Sequence, residues 1–348
     1  MHPSLPFILS GMMISGTLVT IYSTHWFMAW MGLEISTFAI IPLMTHNRHP
    51  RAMEAALKYF VVQSTAAITL LFAMASNAWL LGQWSIQYQT HPLIITLATL
   101  ALMMKLGLAP LHSWFPEVLQ GLNFMTGLIL STWQKFAPLM LLALIANYSV
   151  LLCMIVGLLS ILIGGWGGLN QTQLRKTLAY SSIAHLGWIT LIVPFSFILA
   201  FLAFVMYVGL TMPVFFALNY MQTKNINILS ISRSKAPFLF SMLPLYLLSL
   251  GGLPPFSGFL PKWMILDKLT DYAAKPVAVM AALFTLLSLF FYLRLSYTTA
   301  LTTPPNNNPV TLSWRFPLLK PALLLALLTP PSMCLIPLLP SFMSLFNS

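Results

Sequence analysis

The sequence predicts an all-α polytopic membrane protein of about eleven transmembrane helices, and three observations carry that prediction. Of 348 residues, 59% are hydrophobic and only 6% charged, with a mean hydropathy of +0.87. A soluble domain is about one quarter charged, so this chain lacks the charge to cover a water-facing surface. The apolar residues fall into runs long enough to cross a hydrocarbon core of about 30 Å, which takes roughly 20 residues of helix. Finally, the basic residues between those runs alternate from one loop to the next, as they do when each run crosses the membrane once.

The runs lie at about 4–22, 24–45, 52–81, 92–120, 124–145, 149–169, 173–194, 196–221, 238–270, 275–301 and 318–343. The fourth and ninth are too long for one straight helix, and each is interrupted, by GLAP at 107–110 and by GGLPPFSG at 251–258. Arg48 and Arg51 follow the second run, Arg175 and Lys176 the sixth, Lys224, Arg233 and Lys235 the eighth, and Arg315 and Lys320 the tenth. Loops after the first, third, fifth and seventh runs hold neither Lys nor Arg. After the ninth, Lys268 and Lys275 are balanced by Asp267 and Asp271. The alternation places the N-terminus on the basic side and, with an odd number of spans, the C-terminus opposite. TTPPNNNPV at 302–310 reads as a polar loop between spans, so residues 1–348 form one membrane domain.

A net charge of +11 would suggest nucleic acid in a soluble protein. Here no basic cluster is interleaved with exposed aromatics, and topology accounts for the excess, so no nucleic-acid partner is expected. Cys153 and Cys334 sit inside apolar runs and give neither metal spacing nor a disulfide framework. The opening residues MHPSLPFILSGMM carry no positive n-region, cleavage site or Arg-rich amphipathic presequence.

Ionisable residues inside predicted spans are the strongest functional signal, since each costs several kcal/mol at the bilayer centre. Glu34 lies half way along the second span, and Lys135 is deep in the fifth. Lys105 ends the apolar part of the fourth span, and Lys262 follows the break in the ninth. His112 and His185 lie within or near the same depth. One carboxylate, three lysines and two histidines make a set able to pass protons, because burial and a movable carboxylate partner can load or empty a lysine. Lys58, Lys268 and Arg294 are expected instead to snorkel towards headgroups. Asp267 is expected near the interface.

Each break is the fourth helix of a five-helix set, in halves 1–145 and 146–301, with 302–348 adding a loop and a C-terminal helix. Paired broken helices in corresponding places point to a repeat, and an odd number of helices per half makes the two repeats inverted. The expectation rests on position, since the halves show no obvious residue identity otherwise.

KLGLAPLHSWFPEVLQG at 105–121 and GGLPPFSGFLPKW at 251–263 resemble the hallmark stretches of the antiporter-like membrane subunits of respiratory NADH dehydrogenases. HWFMAWMGLEIS at 25–36 and GGLNQTQLRKTLAYSSIAHLGW at 167–188 are similar to the vertebrate, mitochondrially encoded kind, and the resemblance spans essentially the whole chain. It implies proton translocation coupled to NADH:ubiquinone electron transfer in the mitochondrial inner membrane, with the N-terminus on the matrix side. Glu34 would be the family's buried glutamate paired with Lys105, Lys135 the central lysine and Lys262 the exit-side lysine. His185 would lie on the helix equivalent to the one bearing Glu34. The resemblance implies other core and accessory subunits of the complex and membrane lipids as partners. FMN, iron–sulfur clusters and ubiquinone would be held by those partners, with no cofactor in this chain. Larger relatives carry a long lateral helix, for which nothing after residue 343 leaves room. A stand-alone cation/proton antiporter would bear the same charges, and a non-pumping structural subunit would use them as conformational locks.

Overall fold

The computed structural model describes residues 4–46, 49–86, 91–231 and 237–300, together with Thr329. Its helices are α1 (Ser4–Tyr22), α2 (Trp26–Met44), α3 (Pro50–Leu81), α4 (Pro92–Leu106), α5 (Trp114–Gly121), α6 (Phe124–Ile145) and α7 (Val150–Gly168). They continue with α8 (Leu174–Ile192), α9 (Phe197–Met221), α10 (Ile226–Ile231), α11 (Pro237–Gly251), α12 (Phe259–Asp271) and α13 (Lys275–Ala300). Among the described residues, seven helices are long and apolar enough to cross a membrane, and α4 and the Leu239–Gly251 part of α11 are shorter apolar helices. Among the expected spans, the first ten coincide with these elements, and 318–343 lies outside the described residues. The seventh span, α8, opens with Arg175 and Lys176 and is not among the seven strongly apolar helices.

The two interrupted spans divide as the sequence predicts. Residues 107–113 separate α4 from α5, and 252–258 separate α11 from α12. α4 and α11 each have 15 residues, about 22 Å at 1.5 Å per residue, so neither crosses a core of about 30 Å alone. Both end in a glycine in the left-handed region, Gly107 at φ 74° and Gly252 at φ 78°. The capping bonds match: Gly107 N–H reaches Met104 O at 3.1 Å, and Leu108 N–H reaches Met103 O at 3.1 Å. In α11, Gly252 N–H reaches Ser249 O at 3.0 Å and Leu253 N–H reaches Leu248 O at 3.5 Å. This is the Schellman closure, which needs a residue free to take positive φ.

Contacts divide the chain into two compact units, Met1–Ser160 with Val193–Phe197, and Ile161–Ile192 with Ile198–Ser348. In the first, α1 packs along α2, α3 meets α2, α4 and α5, and α6 packs on α4. In the second, α13 packs on α11, α12, α10 and α8, and α8 also meets α12.

A glycine fixes one helix crossing in each unit. A Cβ on Gly16 would stand 2.8 Å from Gly32 O and 2.9 Å from Ser36 N. A Cβ on Gly164 would stand 2.9 Å from Tyr180 O and 2.7 Å from Ala184 N. Both glycines thus meet a carbonyl and the amide four residues on, so α1 with α2 and α7 with α8 share one packing register. Bridges between loops repeat as well, His25 with Ser85 and Gln173 with Asn225. The hydroxyls inside the helices turn back on their own turns, as Ser36 does to Leu33 O and Ser181 to Leu178 O. That leaves no unpaired hydroxyl in the packed interior at those positions.

Candidate functional site

The first unit brings three of the expected charges together at the α4–α5 break. Glu34 enters on α2, two residues past the Gly32 crossing, and Lys105 is the penultimate residue of α4. Glu34 Oε1 and Lys105 Nζ are 4.0 Å apart, with side chains 16% and 1% exposed. Neither atom has a hydrogen-bond partner among the described residues. At an effective permittivity of about 20, unit charges 4 Å apart attract by about 4 kcal/mol. Removing each ion from water costs several kcal/mol, and without hydrogen bonds the attraction barely offsets it. Such a pair is easily shifted by a small displacement or by a proton.

Lys135 comes from α6 and is buried, with Nζ 4.0 Å from the centroid of the Phe115 ring on α5. That aromatic face favours a cation. A cavity about the size of one water molecule is lined by both Lys105 and Lys135, and by Ser36, Thr37, Tyr59, Gln63 and Gln134. Two of these side chains brace the charged helices. Gln63 on α3 donates to Lys105 O at 3.4 Å, a carbonyl freed by the break. Gln134 on α6 donates to Ser36 O at 3.0 Å on the helix of Glu34.

Lys262 and His185 lie in the second unit. Lys262 Nζ donates to Gly251 O at 2.7 Å, so the lysine caps the broken end of α11, where the helix dipole favours a cation. Gly252 makes room for it, since a Cβ there would stand 2.7 Å from Lys262 Nζ. His185 Nε2 is 3.4 Å from the Tyr292 hydroxyl, and its ring centroid is 5.6 Å from that of Tyr207. His112 lies inside the first break, with Nδ1 3.2 Å from Pro110 O of its own turn, and is not among the residues lining the cavity.

Three cations expected to snorkel have protein partners. Lys58 bonds Glu54 and Glu117, each at 2.8 Å, tying α3 to α5 in a half-exposed cluster. Arg294 donates to Leu169 O at 2.6 Å, and Lys268 is 3.6 Å from Asp271. Gln63, Gln134, Tyr59, Tyr207 and Tyr292 were not singled out by sequence reasoning. The amides could have been, because an unpaired amide inside an apolar run is itself costly.

Aligned on their helix-ending glycines, the breaks also share residues. Gly107, Leu108, Pro110 and Pro116 match Gly252, Leu253, Pro255 and Pro261. In that register Lys262 takes the place of Glu117, and Leu250 the place of Lys105. The glycine crossings set the register of α2 against α8, in which Ser182 takes the place of Glu34 and His185 that of Thr37. Among the described residues, no group of three or more His, Cys, Asp or Glu side chains could hold a metal ion.

Interrupted helices with buried ionisable groups beside them define the class of ion-translocating membrane proteins. The chain belongs to the NADH:quinone oxidoreductase/Mrp antiporter family, whose transmembrane model matches residues 23–288. The model for the C-terminus of NADH dehydrogenase subunit 2 matches residues 289–343. The NADH-ubiquinone oxidoreductase chain 2 of Tetraodon nigroviridis is 55% identical, over 98% of this chain and 97% of the relative. That of Salmo salar is 51% identical over 100% of both. Among solved structures, a chain of respiratory complex I from Thermus thermophilus superposes with a TM-score of 0.77 at 24% identity, covering 96% of this chain and 79% of that one. A chain of the Mrp complex from Dietzia gives 0.70 at 19% identity, covering 83% and 59%. These two structures share the fold.

Proposed function

We propose that the chain is a proton-translocating membrane-arm subunit of the mitochondrial NADH:ubiquinone reductase, a multi-pass protein of the inner membrane with its N-terminus on the matrix side. The observation that carries this reading is the buried Glu34–Lys105 pair, 4.0 Å apart with neither charged atom hydrogen-bonded, beside a cavity shared with Lys135. Full-length similarity to chains bearing the chain 2 name supports the assembly. NADH oxidation and quinone reduction belong to partner subunits, which hold the FMN, iron–sulfur clusters and ubiquinone.

In this mechanism quinone reduction shifts the partnership of Glu34 and Lys105. With Glu34 close, the Lys105 ammonium is held; when the carboxylate moves, the ammonium is destabilised by burial and gives its proton through the cavity to Lys135. The hydroxyls of Ser36, Thr37 and Tyr59 are donors and acceptors that can orient a water in that step. Lys262 and His185 handle the proton in the second half. Residues 1–145 and 146–301 act as two repeats of one five-helix plan, with 302–348 added to them.

Replacement of Lys135 by Ala in assembled complex tests the reading. Fewer protons moved per electron, at preserved electron transfer to a water-soluble acceptor, is the expected result. An unchanged proton-to-electron ratio and rate rejects it. The fold likeness to the Mrp complex favours one rival, a stand-alone antiporter, which would exchange cations for protons in liposomes without any redox partner.

A further inference from the structure

In the second unit, Lys262 and His185 sit on different helices, α12 and α8, and one residue of α13 reaches the surroundings of both. Tyr292 is buried, at 2% exposure, with its hydroxyl 3.4 Å from His185 Nε2. Its ring also lies against Gly251, where a Cβ would stand 3.6 Å from Tyr292 Cδ2. Gly251 is the residue whose carbonyl receives the Lys262 ammonium at 2.7 Å. Tyr292 therefore touches the histidine with its oxygen and the lysine's anchoring residue with its ring.

Packing alone does not call for a hydroxyl here. The adjacent Phe291, its ring centroid 4.3 Å from that of Tyr292, fills the same core without one. A buried hydroxyl is costly unless bonded, while a phenol can donate and accept at once.

We propose that Tyr292 is a further proton-handling residue, whose hydroxyl joins His185 to the break that carries Lys262. In one transfer the phenol oxygen takes the Nε2 proton of the His185 imidazolium while the phenol's own proton leaves through a water for the Lys262 amine. A phenol stands at the end as at the start, the imidazole is neutral and the lysine is charged. Transfer in the other direction follows the same balance.

The inference rests on the translocation reading, and one experiment separates them. Complex carrying Tyr292→Phe is compared with complex carrying Lys135→Ala, each sealed in vesicles. Proton-coupled turnover with quinone should fall about tenfold in Tyr292→Phe, below the ~10²–10⁴ a positioned proton-transfer group contributes. The proton-to-electron ratio should fall with it, at unchanged electron transfer to a water-soluble acceptor. A structural loss would lower both electron-transfer assays together and leave the ratio alone, which would overturn the inference. Tyr292→His, again a donor and acceptor, should recover part of the ratio, and recovery no better than with Phe would overturn it as well. A normal ratio in Tyr292→Phe with a lowered one in Lys135→Ala removes Tyr292 alone. Normal ratios in both remove the translocation reading itself.

Discussion

The helix ends at Gly107 and Gly252 close with the same capping bonds and share a Gly-Leu-x-Pro frame, yet each break satisfies its freed carbonyls differently. At the first, a neutral amide does the work: Gln63 on α3 bonds the carbonyl of Lys105. The Lys105 ammonium is left to face Glu34 across 4.0 Å without a hydrogen bond. At the second, the lysine itself caps the helix, through Lys262 to Gly251 O. The first unit thus keeps a lysine facing a carboxylate, and the second ties a lysine to the backbone. A lysine beside a broken helix is not one kind of site.

The largest effect expected from this difference comes from removing each lysine. Lys105→Met leaves the Glu34 carboxylate buried without its partner, a loss of about 3–5 kcal/mol for a broken buried pair. Lys262→Met leaves only a neutral carbonyl unbonded, about 1–3 kcal/mol. Thermal unfolding of the purified complexes should therefore show the greater loss for Lys105→Met, and the reverse order would break the comparison.

The helix-ending glycines give a smaller effect. Gly107→Ala and Gly252→Ala both place a Cβ at positive φ, about 1–2 kcal/mol each. At Gly252 the new methyl also meets Lys262 Nζ, whereas at Gly107 the nearest atom is Trp114 Cζ2 at 3.2 Å. Gly252→Ala should therefore lower proton-coupled turnover more than Gly107→Ala does, measured on equal amounts of assembled complex. Smaller again is Gln63→Leu, about 1 kcal/mol for a lost hydrogen bond. Equal stability of Gln63→Leu and the unsubstituted chain on thermal unfolding would show that Gln63 is not what closes the first break.

Much of this was legible in the sequence. A charged residue in an apolar run is too costly to be incidental, so Glu34, Lys105 and Lys135 stood out, and glycine with proline marked both breaks. Depth along a helix does not give side-chain direction, and that hid the rest. His112 has the right depth but bonds its own turn at Pro110. Lys58 is placed as if to snorkel, yet it closes on Glu54 and Glu117. The register of α8 against α2 was equally hidden, because their side chains share no pattern. It is set by backbone approach at Gly16 and Gly164, which puts Ser182, a residue without charge, where Glu34 stands in the first half.

In the proposed mechanism the Glu34–Lys105 pair is kept for proton movement and not for stability. Replacing both members with neutral residues of similar shape, Glu34→Gln with Lys105→Met, removes the charges without stranding either one. The assembled complex should be at least as stable as with Lys105→Met alone, and should still pass electrons but move fewer protons per electron in sealed vesicles. An unchanged proton-to-electron ratio in that double variant would contradict it.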